Sequence, residues 1–282
     1  MKANIPSITF KEFDKFKLDE FAAQLRDFLI TEHSFVDGAL VTSLEAPFGC
    51  GKSTFFDLFE NWLRTDPSSV NPYTLIVRLN AWESDFGDDP VLAIISAITG
   101  AIKEHSKTIS QPLLKKLQSQ AGFLASAATS IASDLLQEKL GFDAQKAIES
   151  GKDAWKKDEA GLVVFKTYEA RKKALRTIKD TLAKLAEKWD LKILLLVDEL
   201  DRCRPSYAVD YLESLKHIFD QRNLTIILGI DPKQMASSVQ SLFGGNLVFD
   251  EYFRKFAHRR VPLKGLGESN LAAFFDSLWR RY

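Results

Sequence analysis

Cysteine is scarce: the chain has two in 282 residues, Cys50 and Cys203. A disulfide-stapled extracellular scaffold uses more, so the expectation is a reducing compartment and a cytoplasmic protein. The opening residues, MKANIPSITFKEFDKF, mix charged and apolar positions without the apolar centre of a secretory leader. Long hydrophobic runs are missing too. Residues 121–136, the longest weakly polar stretch, are rich in Ser, Thr and Ala and fall short of the roughly 18–20 apolar residues of a spanning helix. No integral membrane segment is expected, and peripheral membrane contact stays open. Nor is there an excess of one charge: 38 basic residues face 38 acidic ones, so no whole-chain field selects nucleic acid or an anionic surface as partner. Internal repeats and low-complexity segments are absent. What is present is 45% hydrophobic residues, enough for the core of a large α/β domain.

Apolar periodicity changes repeatedly along the chain. Residues 18–30 place Leu18, Phe21, Ala22, Leu25, Phe28 and Leu29 on one helical face. The run ALVTSLEAP, starting at Ala39, then reads as a buried strand, and FFDLFENWL from Phe55 returns to helical period. A second β-rich run covers residues 73–82, followed by a helix opened by Pro90 over 90–103. KILLLVDEL at 192–200 and LTIILGID at 224–231 supply two more strands, with a helix between them at about 207–220. Nearly all-apolar strands alternating with helices predict an α/β fold, a mostly parallel sheet with helices on both faces. Residues 104–190 have little β character and read as a long helical insertion between the second and third strands. Within it Leu117, Leu124, Ala128, Ile131 and Leu135 share one face, and Glu169 with Lys173 has ion-pair spacing on a charged helix over 164–189. Helices packed on the sheet edge or on each other are the simpler reading of this region; an interfacial membrane or partner helix is the alternative. The division is thus 1–103 (N-terminal helix and phosphate-loop half), 104–190 (insertion) and 191–282 (acidic half and closing helix).

Two motifs carry chemistry. APFGCGKST, residues 46–54, departs from G-x-x-x-x-G-K-[ST] only where Ala46 replaces the first glycine. Pro47 favours an extended residue before it, so Ala46 can end the strand without a left-handed angle. Gly49 and Gly51 stand where backbone must approach phosphate closely. Their amides, with those of Cys50 and Lys52, are expected to form an anion-binding nest at a helix N-terminus, and the nucleotide-binding stretch is Pro47, Phe48, Gly49, Cys50, Gly51, Lys52, Ser53 and Thr54. In this reading Lys52 reaches the β and γ phosphates, Ser53 ligates Mg²⁺ and Thr54 contacts the α phosphate. The second motif is LLLVDELDRCRP, an apolar strand ending in acids. Asp198 is the candidate magnesium-site acid and Glu199 the candidate general base for an attacking water. Asp201 and Arg202 read as a structural pair or an intersubunit contact. Asp231 has two readings, a sensor of the γ-phosphate or a cap for the helix beginning at Pro232. Cys50 and Cys203 read as ordinary thiols, with a redox pair as the lesser alternative.

With these residues in view, the chain resembles the KAP family of P-loop NTPases. RLNAWE at 78–83 is similar to that family's strand ending in an Asn-Ala-Trp signature, DELDRCRP at 198–205 to its acidic motif, LGIDPKQM at 228–235 to its next strand and turn, and DEYFRKFAHRRVPL at 250–263 to its closing segment. The resemblance implies ATP binding, Mg²⁺ dependence and action as a conformational or assembly switch, often at membranes, with several bacterial members implicated in phage exclusion. The chain departs from the family at Ala46 and in lacking transmembrane helices in the insertion. Adenine as the base follows from the resemblance and from the absence of an Asn-Lys-x-Asp guanine motif.

The expected chemistry is hydrolysis of ATP by in-line water attack. Arg202, Arg254, Arg259 and Arg260 are candidates for an arginine that meets charge on the γ-phosphate, from the same chain or from a homo-oligomer neighbour; Arg259 and Arg260 also read as a solvated or structural pair. Rival readings are an ATP-gated interaction module with little turnover, a phosphotransferase, and a nucleic-acid-stimulated motor. Leu271, Phe274, Phe275, Leu278 and Tyr282 form a last helical stripe, read as docked on its own domain or as a partner surface.

Overall fold

The computed structural model describes residues 8–14, 18–105, 111–129 and 159–263. The apolar stripes of the sequence become helices, and the continuous apolar runs become strands. Helix α1 (Phe10–Phe13) and helix α2 (Leu18–His33) precede strand β1 (Leu40–Glu45), which runs into the loop before α3 (Lys52–Thr65). Strand β2 (Leu75–Asn80) leads through the short α4 (Ala81–Ser84) to α5 (Pro90–His105). Helices α6 (Gln111–Thr129) and α7 (Glu159–Trp189) lie in the insertion and precede β3 (Ile193–Asp198). Then follow α8 (Pro205–His217), β4 (Leu224–Ile230), α9 (Pro232–Phe243), α10 (Phe249–Phe253) and β5 (Arg259–Pro262).

Among the described residues five strands form one parallel sheet, in the order β2-β3-β4-β1-β5. Strand β4 therefore lies between the two motif-bearing strands, and the carboxyl ends of β1, β3 and β4 meet at one edge. Successive strand residues point to opposite faces, so each strand feeds two cores. On one side Leu40, Leu44, Ile76, Leu194, Leu196 and Ile227 pack with α2 and α3. On the other, Val77, Leu195, Val197, Ile226 and Leu228 pack with Ile94, Ile98 and Leu212. This is an α/β architecture, a parallel sheet with helices on both faces.

Aromatic rings tie α2 to α3: Phe21 meets Phe55 at 5.3 Å, Phe55 stacks on Phe59 at 5.6 Å, and Phe59 on Trp62 at 6.1 Å. In the insertion, Leu117 of α6 and Ala174, Ile178, Leu182 and Leu185 of α7 are buried in the same cluster as the sheet. That arrangement agrees with helices packing on one another and on the domain. Leu124, Ala128, Ile131, Leu135, Glu169 and the stripe from Leu271 to Tyr282 lie outside the residues whose side chains are described. Among the described residues no helix is long and apolar enough to cross a membrane.

Strand β5 was not anticipated. Its residues RRVP are half-buried or exposed, and it joins the sheet through backbone pairing with β1, Thr42 opposite Arg259 and Glu45 opposite Pro262.

Candidate phosphate-binding site

The loop after β1 owes its path to two glycines in left-handed conformation, Gly49 at φ 79° and Gly51 at φ 78°. A side chain at either position would be strained. Ala46 has no positive φ; it is buried and its amide donates to Ile230 O at 3.2 Å. The first position of the motif thus needs no glycine. Gly51 is the N-cap of α3 and no side chain among the described residues caps that end, so the first amides of the helix lack a capping acceptor there. Lys52 is buried, with Nζ donating to Ala46 O at 2.8 Å and Pro47 O at 3.4 Å. Ser53 and Thr54 are exposed on the first turn.

A cavity of about 210 Å³ is lined by Phe48, Gly49, Gly51, Lys52, Ser53, Thr54, Asp198, Glu199, Asp201 and Arg202. The fold therefore brings together the loop and the strand-end acids. Pro47 and Cys50 belong to the same loop but do not line the cavity.

Asp198 ends β3 almost fully buried and accepts from Arg78 Nη2 at 2.7 Å and from the Glu199 amide at 3.0 Å. Glu199 sits in left-handed backbone at φ 59°, which costs a non-glycine residue about 1–2 kcal/mol. Such strain clusters at functional sites. Both of its carboxylate oxygens are engaged: Asn80 Nδ2 donates to Oε2 at 3.0 Å, and Arg202 Nη1 lies 3.0 Å from Oε1. The Asn80 amide orientation is fixed because its Oδ1 accepts from Trp82 N and Glu83 N, capping α4. Arg202 lies over the Phe48 ring at 4.5 Å and near Trp82 at 5.8 Å.

Asp201 and Arg202 do not pair with one another. Arg202 takes Glu199, while Asp201 accepts the Asp231 amide at 2.8 Å, and burial is the main cause that raises its pKa, against the Asp231 hydrogen bond and the Lys52 charge. Asp231 caps α9 through Lys233 N at 2.9 Å and also accepts from Phe48 N at 3.0 Å. Of its two readings the capping role is realised, and the same carboxylate braces the phosphate loop. Among the arginine candidates Arg202 lines the cavity, whereas Arg259 pairs with Glu32 and Arg260 with Glu45 and Asp250. Arg254 is exposed on the segment before β5. Both cysteines are free; burial, reinforced by nearby acids, pushes the Cys203 thiol up to about 12.

Two residues of this site were missed as such in the sequence. Arg78 and Asn80 appear there only within RLNAWE, yet a charge inside an apolar strand and an amide at its end were visible signals.

No curated protein matches the chain. Among solved structures it is similar to the Aeropyrum pernix ORC2 protein in its ADPNP-ADP complexes, at 10% identity and a TM-score of 0.39, over 93% of this chain and 50% of that one. The chain thus spans half the length of that protein, and a likeness this low carries no argument. The family comparison matches residues 18–282, almost the whole chain, to the KAP family P-loop domain: the chain belongs to the KAP family of P-loop NTPases.

Proposed function

We propose that this chain is a Mg²⁺-dependent ATPase that works as a conformational or assembly switch. The observation that carries the reading is the single cavity shared by Gly49, Gly51, Lys52, Ser53 and Thr54 with Asp198 and Glu199. Helix N-terminal amides and a lysine suit phosphate oxygens. The cavity is smaller than the roughly 300–1,000 Å³ that encloses a whole small ligand, which suits the triphosphate end with the nucleoside outside it.

The donor set fits magnesium. Ser53 supplies a hydroxyl and Asp198 a carboxylate, hard oxygen ligands of the kind Mg²⁺ takes alongside substrate phosphates. When bound, Mg²⁺ would neutralise charge on the phosphate oxygens. Lys52 and the loop amides hold the phosphates. As the water oxygen bonds to the γ-phosphorus, the bond to the ADP leaving group breaks and the water proton passes to Glu199. Arg202, which lines the cavity on the same chain, is the arginine we propose to meet charge on the γ-phosphate.

One observation favours a second reading, an ATP-gated module with little turnover. Asn80 and Arg202 each engage one oxygen of Glu199, so an attacking water has only the remaining lone pair of either oxygen to approach. Switch action and a role in phage exclusion rest on the family resemblance. Phosphate release by the purified protein separates the readings. Glu199→Gln should bind ATP as wild type does and hydrolyse it at least about 100-fold more slowly, the scale of a lost general base. Undiminished turnover in Glu199→Gln would remove that residue from the chemistry.

A further inference from the structure

Strand β2 reads LIVRLN, with a cation in the middle of an apolar run. Alternation puts Ile76, Arg78 and Asn80 on the α3 side of the sheet, with Leu194, Leu196 and Asp198 beside them in register, Asn80 opposite Asp198. Arg78 reaches along that face to the strand-end acid. Its Nη2 donates to Asp198 Oδ2 at 2.7 Å and to the Ser53 carbonyl at 3.4 Å, and lies 3.7 Å from Asp57 Oδ1. Its guanidinium lies over the Phe56 ring, 4.6 Å from the centroid. Nη1 is buried with no hydrogen-bond partner among the described residues.

The layer beneath is equally close. A Cβ at Gly229 on β4 would lie 2.6 Å from Phe56 Cε2 and 3.2 Å from Asp198 Oδ1, so the missing side chain lets ring and carboxylate occupy their places. Gly229, Phe56, Arg78 and Asp198 form one packed column from the central strand to the cavity.

We propose that Arg78 is a positioning residue for the metal centre: it ties the Asp198 carboxylate to the turn bearing Ser53, so that the two oxygen donors meet Mg²⁺ as a preset pair. The inference rests on the MgATP reading above. A lone cation beside a metal site would repel the metal. Here the carboxylates of Asp57 and Asp198 both flank the guanidinium, and the local cluster keeps one net negative charge, one positive against two negative. Orientation then decides the sign of the effect. The planar fork, seated on an aromatic face, fixes direction in a way that a lysine ammonium does not.

The test uses the full chain and a fluorescent ATP analogue, first in EDTA and then in a Mg²⁺ titration. Arg78→Met should bind the analogue in EDTA like wild type but need about tenfold or more Mg²⁺ to reach the midpoint, the usual scale for loss of a group that orients a metal ligand. Arg78→Lys should fall between the two. A purely structural role would lower the melting temperature and leave the midpoint in place. Should Arg78→Met not fold, Arg78→Lys and Gly229→Ala carry the test, both with raised midpoints. Midpoints that are unchanged or lowered in the folded variants overturn the proposal. Failure of wild type to bind the analogue under either condition would bring down the ATP reading itself, and this inference with it.

Discussion

Asp231 shows how much one carboxylate holds at this site. One oxygen caps α9 through Lys233 N and the other takes Phe48 N from the phosphate loop, while its own amide is held by Asp201. Loss of a capping side chain costs about 0.5–2 kcal/mol, and loss of the second hydrogen bond, to the amide of exposed Phe48, adds about 0.5–1.5 kcal/mol. Asp231→Ala should therefore lower stability by about 1–3.5 kcal/mol in urea unfolding and weaken nucleotide binding, because the loop loses its brace. Asp231→Asn keeps an acceptor for one of the two amides and should lose less. Equal stability of Asp231→Ala and wild type would show that the two bonds contribute nothing.

Among the elements, those that bury an apolar face were legible in the sequence. Helix α2 follows from Leu18, Phe21, Ala22, Leu25 and Leu29, all buried, and β3 from a run in which every residue is buried. The phosphate loop was legible for a different reason: glycine at 49 and 51 is a conformational requirement written directly in residue type. Strand β5 was not, since an edge strand of two arginines, a valine and a proline has no apolar alternation and is held by backbone bonds to β1. Side-chain pairings across 119 to 120 residues, Asn80 with Glu199 and Arg78 with Asp198, were also out of reach. They depend on the register of β2 against β3, which residue order alone does not state.

For the molecule as a whole, pH dependence is set in part at the sheet end opposite the cavity. Burial is the main cause that lowers the pKa of both His33 and His258. Val41 N donates to His258 Nδ1 at 3.1 Å, which requires that nitrogen unprotonated, and His33 Nε2 is buried without a partner among the described residues. The unfolded chain takes up protons at these positions near pH 6.5, before the folded one does. Their stabilising contribution is therefore present above about pH 6.5 and is lost as pH falls through that value toward the lower folded pKa values. Urea midpoints measured at pH 7.5 and 5.5 should drop on acidification, and the double variant His33→Gln, His258→Asn should drop less. An equal drop would assign the effect to other groups. The same sheet that keeps these imidazoles neutral at one end presents Lys52, Ser53, Asp198 and Glu199 at the other.

That convergence is the claim on which the functional account stands, and calorimetric titration with MgATP addresses it most directly. Wild type should take up one MgATP per chain, and Lys52→Ala, shown folded by circular dichroism, should take up none in the same concentration range. Absence of MgATP uptake by wild type, or equal uptake by a folded Lys52→Ala, would contradict it.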